Sequence, residues 1–304
     1  MNKNELYKNC RLCPRACGAD RTAGKTGFCG MSASLYVSRA SLHMWEEPPI
    51  SGTRGSGTIF FSGCNLRCVY CQNKEVSHGG KGRDISPQQL ADKMLELQSQ
   101  GAHNINLVTP THYAAQLIRV LSAVKKKLYI PVIYNSSGYE RPETIDKLAG
   151  LVDIYMPDLK YYSANLSRDY SGAADYFVVA RAAILKMQQQ LGKPELDENG
   201  MLRRGVLVRH LVLPGCRKDS IELMRQLGRM FAPGDIMLSL MSQYTPDFAQ
   251  NCVFENLHRR VTTLEYETVL NEAMKLQFEG FYQNRSSATS VFTPAFEGEM
   301  RGSV

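Results

Sequence analysis

From Thr58 onward, short apolar runs alternate with longer stretches in which apolar side chains recur every three or four residues. The runs at Thr58–Ser62, Asn104–Thr109, Pro131–Asn135, Val152–Met156, Val206–Leu213 and Ile236–Met241 have the length and the β-branched or aromatic content of buried strands. Helical spacing fills the intervals. Ser86-Pro87-Gln88-Gln89 joins an N-cap, a first-turn proline and a capping-box glutamine, and opens a helix whose Leu90, Met94 and Leu97 share one face. Further helices are predicted from about Tyr113 to Lys126, Arg141 to Ala149, Ala174 to Leu191, Ser220 to Phe231 and Thr262 to Gly280. The last opens with the capping box Thr262-x-x-Glu265. The charged stretch Lys193 to Arg204 reads as a loop or exposed hairpin.

Six strands alternating with six helices predict an α/β fold with a parallel sheet, which right-handed crossovers curl into a barrel or part of one. Periodicity does not separate a full barrel from a partial one. The carboxyl ends of the strands share one face, which in βα barrels holds the active site. Upstream, Ser34 to Trp45 alternates weakly until Glu46-Glu47-Pro48-Pro49 interrupts it. A Cys-rich segment, residues 1–50, is therefore expected to precede one main domain, residues 51–304.

Composition narrows the class. With 304 residues, 43% hydrophobic and 21% charged, the chain can bury a full core, and no apolar run approaches the ~20 residues a membrane helix needs. Residues 1–8 lack the apolar segment of a secretory signal, so a cytoplasmic location is expected, where clustered thiols bind metal more often than they pair as disulfides. The net charge of +7 raises the question of a nucleic-acid partner, but the basic residues are scattered. Lys125-Lys126-Lys127, Arg203-Arg204 and Arg259-Arg260 are short clusters that solvated surfaces explain better than an RNA groove does.

The nine cysteines supply the chemistry. Cys64-x3-Cys68-x2-Cys71 sets three thiols on one short loop at the carboxyl end of the first barrel strand, with Tyr70 before the last thiol. Three cysteines can hold an iron–sulfur cluster that leaves one iron with an open position. The alternatives are a zinc loop lacking a ligand, or structural thiols. Cys10-x2-Cys13-x3-Cys17-x11-Cys29 lies in a Gly- and Arg-rich segment without hydrophobic period, which four thiols around one metal would hold together. Spacing leaves zinc and a second iron–sulfur cluster open there.

The Cys64, Cys68, Cys71 spacing with Tyr70 resembles the signature of the radical S-adenosylmethionine superfamily. That resemblance implies a partial six-stranded barrel. It also implies a four-iron, four-sulfur (4Fe-4S) cluster on the triad, whose open iron chelates the amino and carboxylate groups of S-adenosylmethionine. Reductive cleavage then yields a 5′-deoxyadenosyl radical, with an electron donor such as flavodoxin or ferredoxin. Tyr70 is expected beside the cofactor.

Further segments are similar to those of pyruvate formate-lyase activating enzymes, the branch the chain resembles best. Asn135-Ser136-Ser137-Gly138 looks like their Asp-Thr-Asn-Gly, departing at its first residue, and Pro157-Asp158-Leu159-Lys160 like their Leu-Asp-Leu-Lys. Arg209 precedes a Pro214-Gly215 turn, as in the activases, and is expected to meet the cofactor carboxylate. Met241-Ser242-Gln243-Tyr244 falls where they contact adenosine. The resemblance thus implies cofactor contacts from Asn135, Ser136, Asp158, Lys160 and Arg209. After strand two, however, Val108-Thr109-Pro110-Thr111-His112 replaces a Ser-Gly-Gly-Glu segment. Pro110 lacks an amide donor, so the Thr109 and Thr111 hydroxyls or strand-end carbonyls are expected to take over. His112 reads either as a contributor or as a first-turn helix residue. The activity so implied is hydrogen abstraction, with a glycyl-radical enzyme as one partner. The rivals are radical modification of a peptide, small molecule or RNA, and a non-catalytic iron–sulfur binding or electron-transfer protein.

Overall fold

The computed structural model describes residues 5–78 and 80–283; residues 1–4 and the end of the expected 51–304 unit lie outside it. Among the described residues ten strands build the sheet: β1 (Leu35–His43), β2 (Ser56–Phe61), β3 (Arg83–Ile85), β4 (Ile105–Val108), β5 (Val132–Ser136), β6 (Ile154–Pro157), β7 (Glu195–Leu196), β8 (Leu202–Leu211), β9 (Met237–Met241) and β10 (Gly280–Tyr282). The helices are α1 (Glu5–Lys8), α2 (Pro48–Ser51), α3 (Lys74–Ser77), α4 (Pro87–Ser99), α5 (Ala114–Val124), α6 (Pro142–Asp146), α7 (Ala164–Ser171), α8 (Tyr176–Leu191), α9 (Arg217–Met230) and α10 (Thr263–Met274).

The six expected strands are β2, β4, β5, β6, β8 and β9, and they pair in parallel in that order. At one edge β1 and then β3 add antiparallel, and at the other β10 adds in parallel to β9. The charged stretch before β8 forms the β7–β8 hairpin. The last helix is shorter than its pattern predicts. It stops at Met274, Gln277 takes φ +53°, and the chain re-enters the sheet at Gly280. Extended pairing with β9 there outcompetes a further helical turn.

The sheet curls. β4 and β8 stand three strand spacings apart, roughly 14 Å in a flat sheet at about 4.8 Å per strand. Yet one carboxylate, Glu46, accepts from Asn106 Nδ2 on β4 at 3.1 Å and from Arg209 Nη1 on β8 at 3.3 Å. The strand order runs from β10 to β3 without closing, which makes a partial barrel. Outward side chains such as Ile59, Leu107, Tyr134, Tyr155 and Val208 pack under the helices, α4 contributing Leu90, Met94 and Leu97 as their spacing predicts. Inside, Ile133, Ile154, Met156, Leu207 and Met237 close on Ile50 of α2, which plugs the amino-terminal end. Above this apolar layer the inward positions turn polar, and there the site begins.

Candidate active site

The loop from Ser62 to Asn73 leaves the carboxyl end of β2 and crosses the barrel mouth. Cys64, Cys68 and Cys71 line one cavity together with Val108 and Thr109 after β4, Asn135 and Ser136 of β5, Asp158 and Lys160 after β6, Arg209 of β8, and Met241, Gln243 and Tyr244 after β9. Tyr70 joins the same wall. The structure therefore gathers the triad with Tyr70, Thr109, Asn135, Ser136, Asp158, Lys160 and Arg209 at one strand-end face.

The same cavity carries an ionic lattice. Lys160 Nζ donates to Asp158 Oδ2 at 2.6 Å, and Arg209 donates through Nε to Asp158 Oδ1 at 3.1 Å and through Nη2 to Asn135 Oδ1 at 2.7 Å. Burial alone would raise the Asp158 pKa, but Lys160 and Arg209 outweigh it and hold the carboxyl below its usual range. Burial opposes the charge on Lys160, yet Asp158 and the Cys68 thiol keep its pKa above the ordinary lysine value. Burial pushes Glu46 up to about 7, with Arg209 opposing.

Each cluster-loop sulfur meets a hydrogen-bonding group. The Leu66 amide donates to Cys64 Sγ at 3.3 Å, the Ser171 hydroxyl to Cys68 Sγ at 3.0 Å, and Ser77 Oγ lies 3.3 Å from Cys71 Sγ. Such groups stabilise thiolate charge, although burial and the neighbouring Cys68 push the Cys64 and Cys71 thiols up and keep them protonated without a metal. Among the described residues no three metal-binding side chains close around a single ion. A polynuclear cluster needs no such point, because separate thiolates hold separate irons. Three thiols around one cavity, each with a hydrogen-bond partner, fit that group.

Sequence reasoning missed several participants. Behind Cys68, Tyr161 Oη lies 2.7 Å from Ser171 Oγ and 2.6 Å from Tyr70 Oη, a buried chain of three hydroxyls. Thr109 takes φ +60°, a left-handed conformation that costs a β-branched residue about 1–3 kcal/mol, at the cavity wall. Thr111 and His112 do not line the cavity. Thr111 Oγ1 donates to the buried Glu140, while His112 is buried with Nε2 2.7 Å from the Ser62 carbonyl, and burial pushes its pKa down to about 3.

Residues 58–228, more than half the chain, match the family profile described as Radical SAM superfamily. The chain belongs to the radical S-adenosylmethionine (radical SAM) superfamily. Radical SAM proteins use a 4Fe-4S cluster and S-adenosylmethionine, which accords with the donor set above. Among relatives, the chain is 29% identical over 290 residues to an uncharacterized protein of Methanocaldococcus jannaschii, covering 91% of this chain and 78% of that one. It is 23% identical over 168 residues to the pyruvate formate-lyase 1-activating enzyme of Escherichia coli, covering 53% of this chain and 62% of the enzyme. Among solved structures, a spore photoproduct lyase mutant with dinucleoside spore photoproduct superposes with TM-score 0.50 at 11% identity, covering 73% of this chain and 75% of that one. This likeness is one of fold. Among the described residues no helix is long and apolar enough to cross a membrane.

Proposed function

We propose that this radical SAM protein reductively cleaves S-adenosylmethionine at the barrel mouth and abstracts a hydrogen atom from a partner polypeptide in the manner of an activating enzyme. The observation that carries the reading is the sharing of one cavity by three hydrogen-bonded thiols and the Asp158, Lys160, Arg209 and Asn135 lattice. When bound, the cluster would supply the one electron that converts the cofactor into methionine and a 5′-deoxyadenosyl radical. Cys64, Cys68 and Cys71 hold the cluster. The methionyl end of the cofactor carries a carboxylate, an ammonium and a sulfonium, so it needs fixed charges of both signs. Lys160 and Arg209 offer cations, and Asp158 offers an anion held ionised by its neighbours. Asn135, Ser136 and Thr109 add polar contacts, and Tyr70, Met241 and Tyr244 add apolar surface that excludes water.

The local similarity to the pyruvate formate-lyase activating enzyme supports a glycyl-radical enzyme as the partner. A low-potential donor of the flavodoxin or ferredoxin kind supplies the electron, and the cytosol keeps the thiols reduced.

Anaerobic reconstitution tests the reading. Wild-type protein should release methionine and 5′-deoxyadenosine on reduction, and Cys68→Ala should lose cluster absorbance and cleavage together. An intact reduced-cluster spectrum in Cys68→Ala would sink the triad assignment. Incubation with a candidate glycyl-radical enzyme should give a partner-dependent glycyl signal by electron paramagnetic resonance. Repeated deoxyadenosine turnover with a small molecule in place of that partner would overturn the activating-enzyme part.

A further inference from the structure

The amino-terminal segment contains a buried cation without a carboxylate. Arg21 is 1% exposed. Its guanidinium donates to the carbonyls of Met31 at 3.1 Å, Ser32 at 2.7 Å and His112 at 2.6 Å, and its Nη1 lies 3.7 Å from Cys10 Sγ. One face lies 4.5 Å from the Tyr7 ring centroid. The donors are satisfied, but the charge is not. The acidic groups facing it are Cys29, Tyr7 and Cys10, and among the described residues no carboxylate pairs with it. An uncompensated buried ion costs several kcal/mol, so the fold around Arg21 calls for an anion.

Thiols stand where that anion is needed. Cys10, Cys13 and Cys29 are buried, with 4%, 8% and 9% exposure, and each lies within electrostatic range of the others. Cys17 approaches from the solvent side, its Sγ 4.0 Å from the Cys10 carbonyl. Gly27 leaves room for that sulfur, since a Cβ there would stand 2.6 Å from it. The thiols do not close around a single ion in this structure, and neither do those of the radical-cluster triad. The apolar cluster of the segment is small, Tyr7, Cys10 and Leu12 packing on Ala115 of α5 with Leu6 and Ala33 beside them, and only Cys29 and Met31 reach the main core. Between Glu5 and Ala33 its regular structure is one helical turn and one 3-10 turn. So little apolar burial does not order such a length of chain without a further cross-link.

We propose that Cys10, Cys13, Cys17 and Cys29 bind one thiolate-ligated metal centre, a zinc ion or an iron–sulfur cluster, with Arg21 as its buried counter-cation. Four thiolates around a divalent zinc, or around the divalent core of an oxidised four-iron cluster, leave two net negative charges. Arg21 offsets one of them from inside the fold. The centre also anchors the radical-cluster loop. Arg15, between Cys13 and Cys17, donates to the Asn65 carbonyl at 2.8 Å and the Ser171 carbonyl at 3.0 Å, while Arg67 of the loop donates back to the Phe28 carbonyl at 2.9 Å. Gly63, with φ +82°, admits this approach, because a Cβ there would lie 2.6 Å from the Cys29 carbonyl. This inference does not rest on the proposed reaction.

The experiment uses full-length protein purified anaerobically, with iron, sulfide and zinc quantified per chain. A Cys64→Ala/Cys68→Ala/Cys71→Ala variant should retain about one zinc or about four irons, the two arms distinguishing the metals. Adding Cys10→Ser and Cys13→Ser should remove them. A folded triad variant with neither metal overturns the site, whereas retained metal alongside lost cofactor cleavage supports it and leaves the proposed reaction to its own test. Arg21→Gln should lose metal to a competing chelator at least tenfold faster, with Arg21→Lys restoring most of the retention. Unchanged retention in Arg21→Gln overturns the counter-cation role. Should these variants misfold, thiol alkylation of the wild type decides. Exposed Cys17 should resist iodoacetamide until a chelator is added, and full labelling beforehand overturns the site.

Discussion

Ser171 shows how one hydroxyl can set the behaviour of a distant thiol. It closes α7, is 1% exposed, and donates to Cys68 Sγ at 3.0 Å across 103 residues of chain. Its oxygen in turn lies 2.7 Å from Tyr161 Oη, so the donor is oriented from behind. A hydrogen bond to a ligating sulfur stabilises the more negative, reduced cluster and raises its potential. Ser171→Ala should therefore keep iron binding but shift the cluster midpoint to more negative values by roughly tens of millivolts, because only the part of the hydrogen bond's energy that differs between the two oxidation states, about 1 kcal/mol, enters the potential. Redox titration followed by electron paramagnetic resonance measures it, and an unchanged midpoint with full iron content would show that the contact does not tune the cluster. The grouping of the three thiols on one loop was readable because its spacing is local. Ser171 was not, since nothing in Asp169-Tyr170-Ser171-Gly172 marks a contact that folding alone creates. Arg21 was equally hidden, a basic residue in a basic segment whose burial is visible only in three dimensions.

Elements show a similar division between local and long-range information. The capping boxes at Ser86 and Thr262 form as their patterns predict, because every contact lies within one turn. Glu265 of the second box does more. Its Oε1 also accepts from the Gly215 amide at 2.8 Å, and Arg259 grips both oxygens at 2.7 and 2.8 Å. It thus ties the turn after β8, and with it the strand bearing Arg209, to the start of α10. Thr262→Ala should cost about 1 kcal/mol, the usual value of an N-cap, and Glu265→Ala roughly twice that. Urea denaturation of the two variants compares them, and equal losses would mean that the link to Gly215 and Arg259 adds nothing to the box. Parallel strands and their helices were legible from period and length. The antiparallel edge formed by β1 and β3 was not, because a weakly alternating run does not name its partner. Nor was β10, whose strand conformation depends on the open edge of β9 and not on its own three residues.

At the scale of the whole molecule, buried acids and bases make stability depend on pH in opposite directions. Glu140 is fully buried behind β5, hydrogen-bonded by Thr111 and lying 3.5 Å from Tyr134 Oη, and burial pushes its pKa up to about 8 despite these contacts. The folded chain then holds a proton that the unfolded chain releases above the ordinary glutamate value, so this contribution to stability is full at low pH and is lost as pH rises toward 8. His112 and His210 act the other way. Burial lowers them to about 3 and about 4, so the unfolded chain takes up protons that the folded one refuses, and stability from these groups rises up to the ordinary histidine pKa near 6.5. Below that value the two trends offset each other. Between pH 6.5 and 8 the glutamate side remains, with Glu46 adding the same sign up to about 7. Wild-type stability should therefore fall across this window by roughly 1.4 kcal/mol per pH unit for each group still titrating. Glu140→Gln keeps the size of the side chain and the acceptor oxygen for Thr111 but cannot ionise, so its stability should fall less between pH 7 and 8. Anaerobic urea titrations of the metal-loaded protein at pH 6.5, 7 and 8 make the comparison. A Glu140→Gln slope as steep as the wild type would assign the pH dependence to another group and leave Glu140 an ordinary buried polar residue.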